Sequence, residues 1–144
     1  EEHHIPHQDE GREKRPSPFQ GGNTTIKPAT FAYVCAPFQN SEGFPSHKVK
    51  DYCRTLYELG YIPIAPNLMF SRFLRESVPE QREARRDMAQ QLLRRCRVLV
   101  VCGDKITEEM EAEILLAKRL RIVSTTLAGI RTIALYGKRN EDTE

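Results

Sequence analysis

Several side chains that could take part in chemistry stand directly after segments with the composition of β-strands. They are Cys35, Ala36, Pro37, Phe38, Asn67, Gly103, Thr107 and, on the helix that follows the last of these, Glu113. In an open parallel sheet, ligands bind beyond the carboxyl ends of the strands, so we expect these groups to meet at one edge. A turn at a helix N-terminus can hold an anion, and a carboxylate behind it can act on the bound molecule. The pattern indicates a small-molecule site at this edge, with Glu113 as a candidate for the reactive carboxylate.

The segment that carries this acid, Arg94 to Leu120, has the composition of a strand, a turn and a helix. Val98 to Cys102 is an unbroken apolar and mainly β-branched run, which is typical of a strand buried on both faces. Thr107 is a good N-cap residue, and the helix after it begins with glutamates and ends with basic residues. This polarity suits the helix dipole, so most of the acids have a structural explanation. Only Glu113 also has a functional explanation. The alternative interpretation is that Glu113 is an acid on the helix surface.

The chain before this segment alternates in the same way. Phe31 to Ala36 and Tyr61 to Ala65 are predicted strands, and Pro63 inside the second one favours an edge position. Between them, apolar residues recur at helical spacing from Val49, and Gly60 stands where a helix C-cap belongs. These elements form a predicted strand, crossover helix and parallel strand.

A lid and a further helix are predicted next. Asn67 to Leu74 is apolar without strand alternation, as in a short helix or lid over a ligand site. Ser77 to Glu80 has the form of a capping box and introduces a helix that lasts to about Arg95. The apolar stripe of this helix is predicted to consist of Ala84, Met88, Leu92 and Cys96. The helix also carries the arginines Arg82, Arg85, Arg86, Arg94 and Arg95. Because they lie mostly off that stripe, the pattern favours a solvated charged face over a phosphate or nucleic-acid patch.

Two last strands are expected at Ile122 to Leu127 and Ile130 to Tyr136. The complete alternation predicts a three-layer α/β domain with a largely parallel sheet of about five strands. Residues 29–137 should form this domain, between a flexible arm at residues 1–28 and a charged tail at residues 138–144.

The composition is that of one small domain without a dominant charge. The chain has 144 residues, 39% of them hydrophobic, and its 22 basic and 20 acidic residues give a net charge of +2, which provides no argument for nucleic acid or a membrane. The 4 cysteines form no CxxC pair, so reduced thiols and no metal site are expected. No apolar run approaches the ~20 residues that cross a bilayer. We therefore expect a soluble, cytoplasmic protein.

Common phosphate loops, dinucleotide fingerprints, nucleophile elbows and zinc-protease motifs are absent from the sequence. Three other stretches occur together: Y-x-C-x-P from Tyr33, G-Y-I-P-I-A-P from Gly60, and G-D-x-I-S/T-x-x-M-x-x-E-I-x-x-A from Gly103. In order and spacing they resemble the nucleoside 2-deoxyribosyltransferase-like superfamily, and in particular an uncharacterised bacterial and phage branch. The resemblance covers Phe31 to about Leu120.

This resemblance implies a flavodoxin-like or Rossmann-like domain, commonly a homo-oligomer, that needs neither cofactor nor metal. It implies cleavage of the N-glycosidic bond of a nucleoside or nucleotide, or transfer of the (deoxy)ribosyl group. By position in the motifs, Glu113 would be the nucleophile and Tyr33 would position it. Substrate binding is implied for Cys35, Ala36, Pro37, Phe38, Asn67, Gly103 and Thr107, with the Thr107 hydroxyl and nearby amides at a 5′-phosphate or 5′-hydroxyl.

Four positions depart from the pattern of the superfamily, and the first of them is Ala36, where the early loop commonly has glycine. Ala89 stands where an aspartate is frequent, Glu109 where a glycine is frequent, and Asn67 where the branch often has histidine. A second hypothesis is therefore a catalytically silent nucleotide-binding or sensing module of the same fold. A third is an interaction domain that binds nucleic acid through its arginine-rich helix.

Overall fold

A computed structural model describes residues 29–38 and 46–133. Its strands are β1 Phe31–Cys35, β2 Ile62–Ile64, β3 Val98–Val101 and β4 Val123–Thr126. Its helices are α1 Ser46–Glu58, α2 Pro66–Phe70, α3 Pro79–Leu93 and α4 Glu108–Arg119. Residues 127–133 are also helical. The predicted N-terminal arm and C-terminal tail lie outside the described residues.

The four strands form one parallel sheet in the order β2-β1-β3-β4. The apolar strands β1 and β3 lie in its centre, where Ala32 pairs with Val98 and Cys35 with Val101. β2 is an outer strand, as Pro63 predicted, because a residue without an N–H group is tolerated where one side of the strand has no partner. The predicted three-layer α/β architecture with a parallel sheet is confirmed, with four strands instead of about five.

Alternate residues of β1 divide between two hydrophobic cores. Ala32 and Val34 belong to the core that β1 and β3 form with α1 and the helical residues 127–133. Tyr33 and Cys35 point to the opposite face and join the core formed with α3 and α4. The period of two in the strand therefore places Tyr33 and Cys35 on the same face of the sheet as the helix that carries Glu113.

The predicted fifth strand is wrong over residues 130–133, which are helical, and residues 134–136 lie outside the described part of the chain. The Thr126 hydroxyl accepts a hydrogen bond from the Gly129 amide at 3.0 Å, as a helix N-cap does. Leu127 and Ile130, one helical turn apart, then pack against the core that contains α1. Leu127, the predicted end of the fourth strand, and Ile130, the predicted start of the fifth, thus lie on one face of a helix.

Helix α3 also differs from its prediction. Its N-cap is Val78, which makes no side-chain cap hydrogen bond, and the helix begins at Pro79, so the capping box from Ser77 is wrong. The buried stripe is shifted by one residue: the buried positions within the helix are Arg85, Ala89 and Leu93. Ala84 is exposed, whereas Cys96 beyond the helix is buried as predicted. The predicted stripe excluded position 85 because an arginine side chain is expected to face water.

Candidate active site

Glu113 is a buried acid on the inner face of α4. The Thr107 hydroxyl accepts a hydrogen bond from the Met110 amide at 3.2 Å, so the predicted N-cap is confirmed and fixes the start of the helix. Met110, Glu113 and Ala117 then face the sheet at spacings of three and four residues. Glu113 retains only 8% of its accessible surface. The alternative interpretation of Glu113 as a surface acid is therefore wrong.

The carboxyl group of Glu113 meets two side chains from β1. It hydrogen-bonds with the Tyr33 hydroxyl and interacts with the Cys35 thiol. Burial raises the pKa of Glu113 to about 8, the nearby Glu109 carboxylate adds to that rise, and the contacts with Tyr33, Arg85 and Cys35 oppose it. Burial and the neighbouring Glu113 also raise the pKa of Tyr33 well above its ordinary value. At neutral pH the acid is therefore mainly protonated, and a modest rise in pH ionises it.

Arg85 on α3 lies beside this acid and is itself 2% exposed. Its Nε and Nη2 atoms donate to the two carboxylate oxygens of Glu76 at 2.9 and 3.1 Å. Nη1 donates to Asn67 Oδ1 at 3.0 Å, and Nη2 donates to Glu109 Oε1 at 2.9 Å. Burial lowers the pKa of Arg85, but the hydrogen bonds to Glu76 and Glu109 outweigh this and raise it. The buried charge is thus met by acceptors from three other segments.

The face of the same guanidinium lies on an aromatic ring. Arg85 Cζ is 4.1 Å from the centroid of the Phe38 ring, which follows β1 and is 8% exposed. This is a close cation–π contact in a site with little water, where such contacts are strongest. Phe38 and Asn67, both predicted to bind substrate, therefore contact Arg85.

Glu109 stands one helical turn before Glu113 and is shared by two arginines. Its Oε1 atom accepts from Arg85 at 2.9 Å and from Arg86 at 3.1 Å. The side chain of Arg86 is 55% exposed, in contrast to 3% for Arg85. The negative charge of Glu109, at the N-terminus of α4, is thus balanced by the two arginines of α3.

A cavity of about 300 Å³ opens between α3 and α4 beside these groups. It is lined by Arg86, Ala89, Gln90, Glu108, Glu109, Ala112 and Glu113. This volume is at the lower end of the range for small-molecule sites. The small side chains of Ala89 and Ala112 provide the space, and Glu113 provides the only lining group that is both acidic and buried.

A family model described as a domain of unknown function, DUF7768, matches residues 30–126, which is more than half of the chain. The chain belongs to the DUF7768 family. No curated protein matches it. The matched residues of this DUF7768 domain include all four strands and every group that surrounds Glu113.

The structure of this DUF7768 domain brings together only part of the predicted binding set. Ala36, Pro37 and Asn67 line a separate cavity of about 20 Å³, which has room for little more than one water molecule. Gly103 is exposed in the turn after β3 with a φ of 95°, a left-handed conformation that favours glycine. Thr107 serves as the N-cap of α4. Glu113 contacts Tyr33 and Cys35 directly. Phe38 and Asn67 instead contact Arg85, which lies beside Glu113.

Sequence reasoning missed Arg85 and its partner Glu76. The prediction that the arginines of α3 form a solvated face is wrong for Arg85. A signal existed, because Arg85, Ala89, Leu93 and Cys96 follow one another at intervals of four, four and three residues, which also places them on one face of a helix. To choose the stripe that begins at Arg85 over the one that begins at Ala84, one must know the hydrogen-bond acceptors that surround Arg85. These acceptors come from distant segments of the chain.

Within residues 29–38 and 46–133, no group of three or more histidine, cysteine, aspartate or glutamate side chains could hold a metal ion. The four cysteines are free thiols, and burial raises their pKa values. Among the helices of the described ranges, none is long and apolar enough to cross a membrane.

Proposed function

We propose that this domain cleaves the N-glycosidic bond of a nucleoside or nucleotide, or transfers its (deoxy)ribosyl group to another base, with Glu113 as the nucleophile. The observation that carries the proposal is the buried contact of Glu113 with Tyr33, beside a cavity of about 300 Å³. The superfamily resemblance assigns the chemistry to the same two residues. They come from α4 and β1, so their contact depends on the tertiary fold.

The proposed reaction has two steps. The ionised Glu113 carboxylate attacks the anomeric carbon, the bond from that carbon to the base nitrogen breaks, and the base leaves with the bonding electrons and takes up a proton from solvent. The resulting glycosyl ester is resolved by water in a hydrolase or by the nitrogen of a second base in a transferase. Tyr33 orients the carboxylate during both steps.

The rate is expected to rise with pH, because only ionised Glu113 can attack. With a pKa of about 8, the rate constant kcat/KM should increase about tenfold for each pH unit below that value and level off above it. Chromatography of the free base released from a panel of nucleosides and their 5′-phosphates would measure this. Mass spectrometry of quenched reactions should find the sugar on the peptide that contains Glu113. Absence of base release from the whole panel at pH 8.5 would contradict the proposal.

The second candidate is a catalytically silent nucleotide-binding module. It is favoured by one observation: the Arg85–Glu109 ion pair lies next to Glu113, where a substrate would approach. Ala89, at a position where the superfamily frequently has an aspartate, adds no further carboxylate to the lining of the cavity. Calorimetry that detects nucleotide binding, in the absence of base release at any pH, would support this candidate over the enzyme.

A homo-oligomer in the cytoplasm is part of the same proposal, since the superfamily resemblance implies it. β4 is, with β2, one of the two outer strands of the described sheet, and its Val123 side chain is 62% exposed. The strand carries neither proline nor charge, the usual protection of an edge. Analytical ultracentrifugation should detect a dimer or larger species at micromolar concentration, and a monomer alone would contradict this part of the proposal.

A further inference from the structure

The guanidinium group of Arg85 is held in the way that a protein holds a planar ligand. One face lies on the Phe38 ring at 4.1 Å, and its edges donate to Glu76, Asn67 and Glu109 at distances of 2.9–3.1 Å. Phe38, Glu76, Asn67 and Glu109 belong to four different segments, which are the residues after β1, the loop before α3, α2 and α4. Every hydrogen-bonding partner in the set accepts, so the site selects a flat group rich in N–H donors.

We propose that Phe38, Asn67, Glu76 and Glu109 form a binding site for a guanine-type base, and that Arg85 fills this site as an internal ligand when no base is bound. The inference rests on the proposed function, because it names the base that the same site would accept. Arg85 then acts as a gate that a substrate must displace.

The chemistry of the Glu76 contact favours guanine over other bases. Its two carboxylate oxygens accept two parallel hydrogen bonds from Arg85 Nε and Nη2. Guanine presents the same pair of donors through its ring N1–H and its 2-amino group, because this part of the base is itself a guanidine unit. Adenine has an acceptor at the ring nitrogen, which a carboxylate repels. Inosine lacks the 2-amino group and would leave one oxygen of Glu76 without its bond.

The position of the site relative to Glu113 agrees with this role. Glu109, which accepts a hydrogen bond from Arg85 Nη2, precedes Glu113 by one helical turn, and both glutamates line the cavity of about 300 Å³. A base in place of the guanidinium would therefore have its sugar in that cavity, beside Glu113. An internal ligand also lowers the apparent affinity for substrate, since binding must compete with the closed state.

Two substitutions test the gate. Arg85→Ala empties the site, and Arg85→Lys keeps a positive charge for folding but supplies neither the planar face nor the fork of donors. Isothermal calorimetry of the full chain should find that both variants bind guanosine at least about tenfold more tightly than the parent protein. Both should prefer guanosine to inosine by about tenfold, the value of one hydrogen bond to a charged group. Equal affinity of the parent and both variants, or no preference between the two nucleosides, would overturn the proposal.

A second measurement applies even if Arg85→Ala folds poorly. About 20 mM guanidinium chloride, far below denaturing concentrations, should raise the melting temperature of Arg85→Ala relative to the same concentration of sodium chloride. Arg85→Met, which fills the site with an apolar chain, is the matched control and should show no such rise. A guanidinium effect that is absent, or equal in the two variants, would overturn the proposal. Because binding is measured separately from base release, tight guanosine binding without turnover would contradict only the proposed enzyme activity.

Discussion

Replacing Glu113 with glutamine is expected to slow base release at least about a thousandfold and, in the same variant, to stabilise the protein at pH 8. The loss of activity follows because an amide cannot act as the nucleophile, whereas the shape of the side chain and a hydrogen bond with Tyr33 are retained. Base release by the parent and the variant, measured by chromatography at pH 8, provides the first comparison.

The gain in stability follows from the raised pKa of Glu113. In the unfolded chain this acid ionises near 4.5, but in the folded protein it ionises only near 8. Between these values the folded protein binds more protons than the unfolded chain, so its free energy of unfolding falls as pH rises. A shift of one pKa unit corresponds to about 1.4 kcal/mol. Relaxation of the site and entry of water offset part of the cost of ionising Glu113, so we expect a loss of about 3 kcal/mol by pH 8, which the neutral glutamine avoids.

Urea denaturation of the parent and the variant at pH 5, 6, 7 and 8 would measure this effect. The two curves should nearly coincide at pH 5 and diverge as pH rises, and contributions from other titrating groups cancel in the difference. Glu111→Gln is the matched control, because Glu111 is an exposed acid on the same helix. It should leave both activity and the pH dependence of stability unchanged. If the difference in free energy of unfolding between the parent and Glu113→Gln were the same at all four pH values, this would contradict the conclusion that Glu113 is a buried acid with a raised pKa.

Replacing Arg85 with methionine is expected to lower the free energy of unfolding by about 3 kcal/mol. The methionine side chain keeps contact with Phe38 but removes all four hydrogen bonds that Arg85 donates. Glu76 and Glu109 then keep their charges in a partly buried position, which is the main cost. Their side chains are 30% and 20% exposed, so water offsets part of it, and the expected loss is at the lower end for a broken buried ion pair.

Arg86→Met is a direct control for this prediction. Arg86 contacts the same Glu109 Oε1 atom as Arg85, at 3.1 Å compared with 2.9 Å, but its side chain is 55% exposed. Exposed ion pairs contribute about 0–1 kcal/mol, so this substitution should have a small effect. Equal losses for the two variants in urea denaturation would show that burial does not distinguish the two arginines.

The elements of the fold were largely predictable because they depend on local patterns. The apolar run at β3, the N-cap Thr107 and the C-cap Gly60, which has a φ of 91°, each act over a few residues. The edge position of β2 followed from Pro63 alone. Predictions failed where two local patterns competed, as at Ile130, which fits a strand by composition but a helix by spacing.

The sequence by itself determined that a strand, a turn and an acid-rich helix come together, and the superfamily resemblance singled out Glu113 and Tyr33. Only the tertiary structure decided that Glu113 is buried, because α4 presents it to the face of β1 that carries Tyr33 and Cys35. Tertiary structure likewise decided that Arg85 lies inside the protein. Its burial depends on acceptors from Asn67, Glu76 and Glu109, and a charged residue enters a core only when distant segments supply its partners.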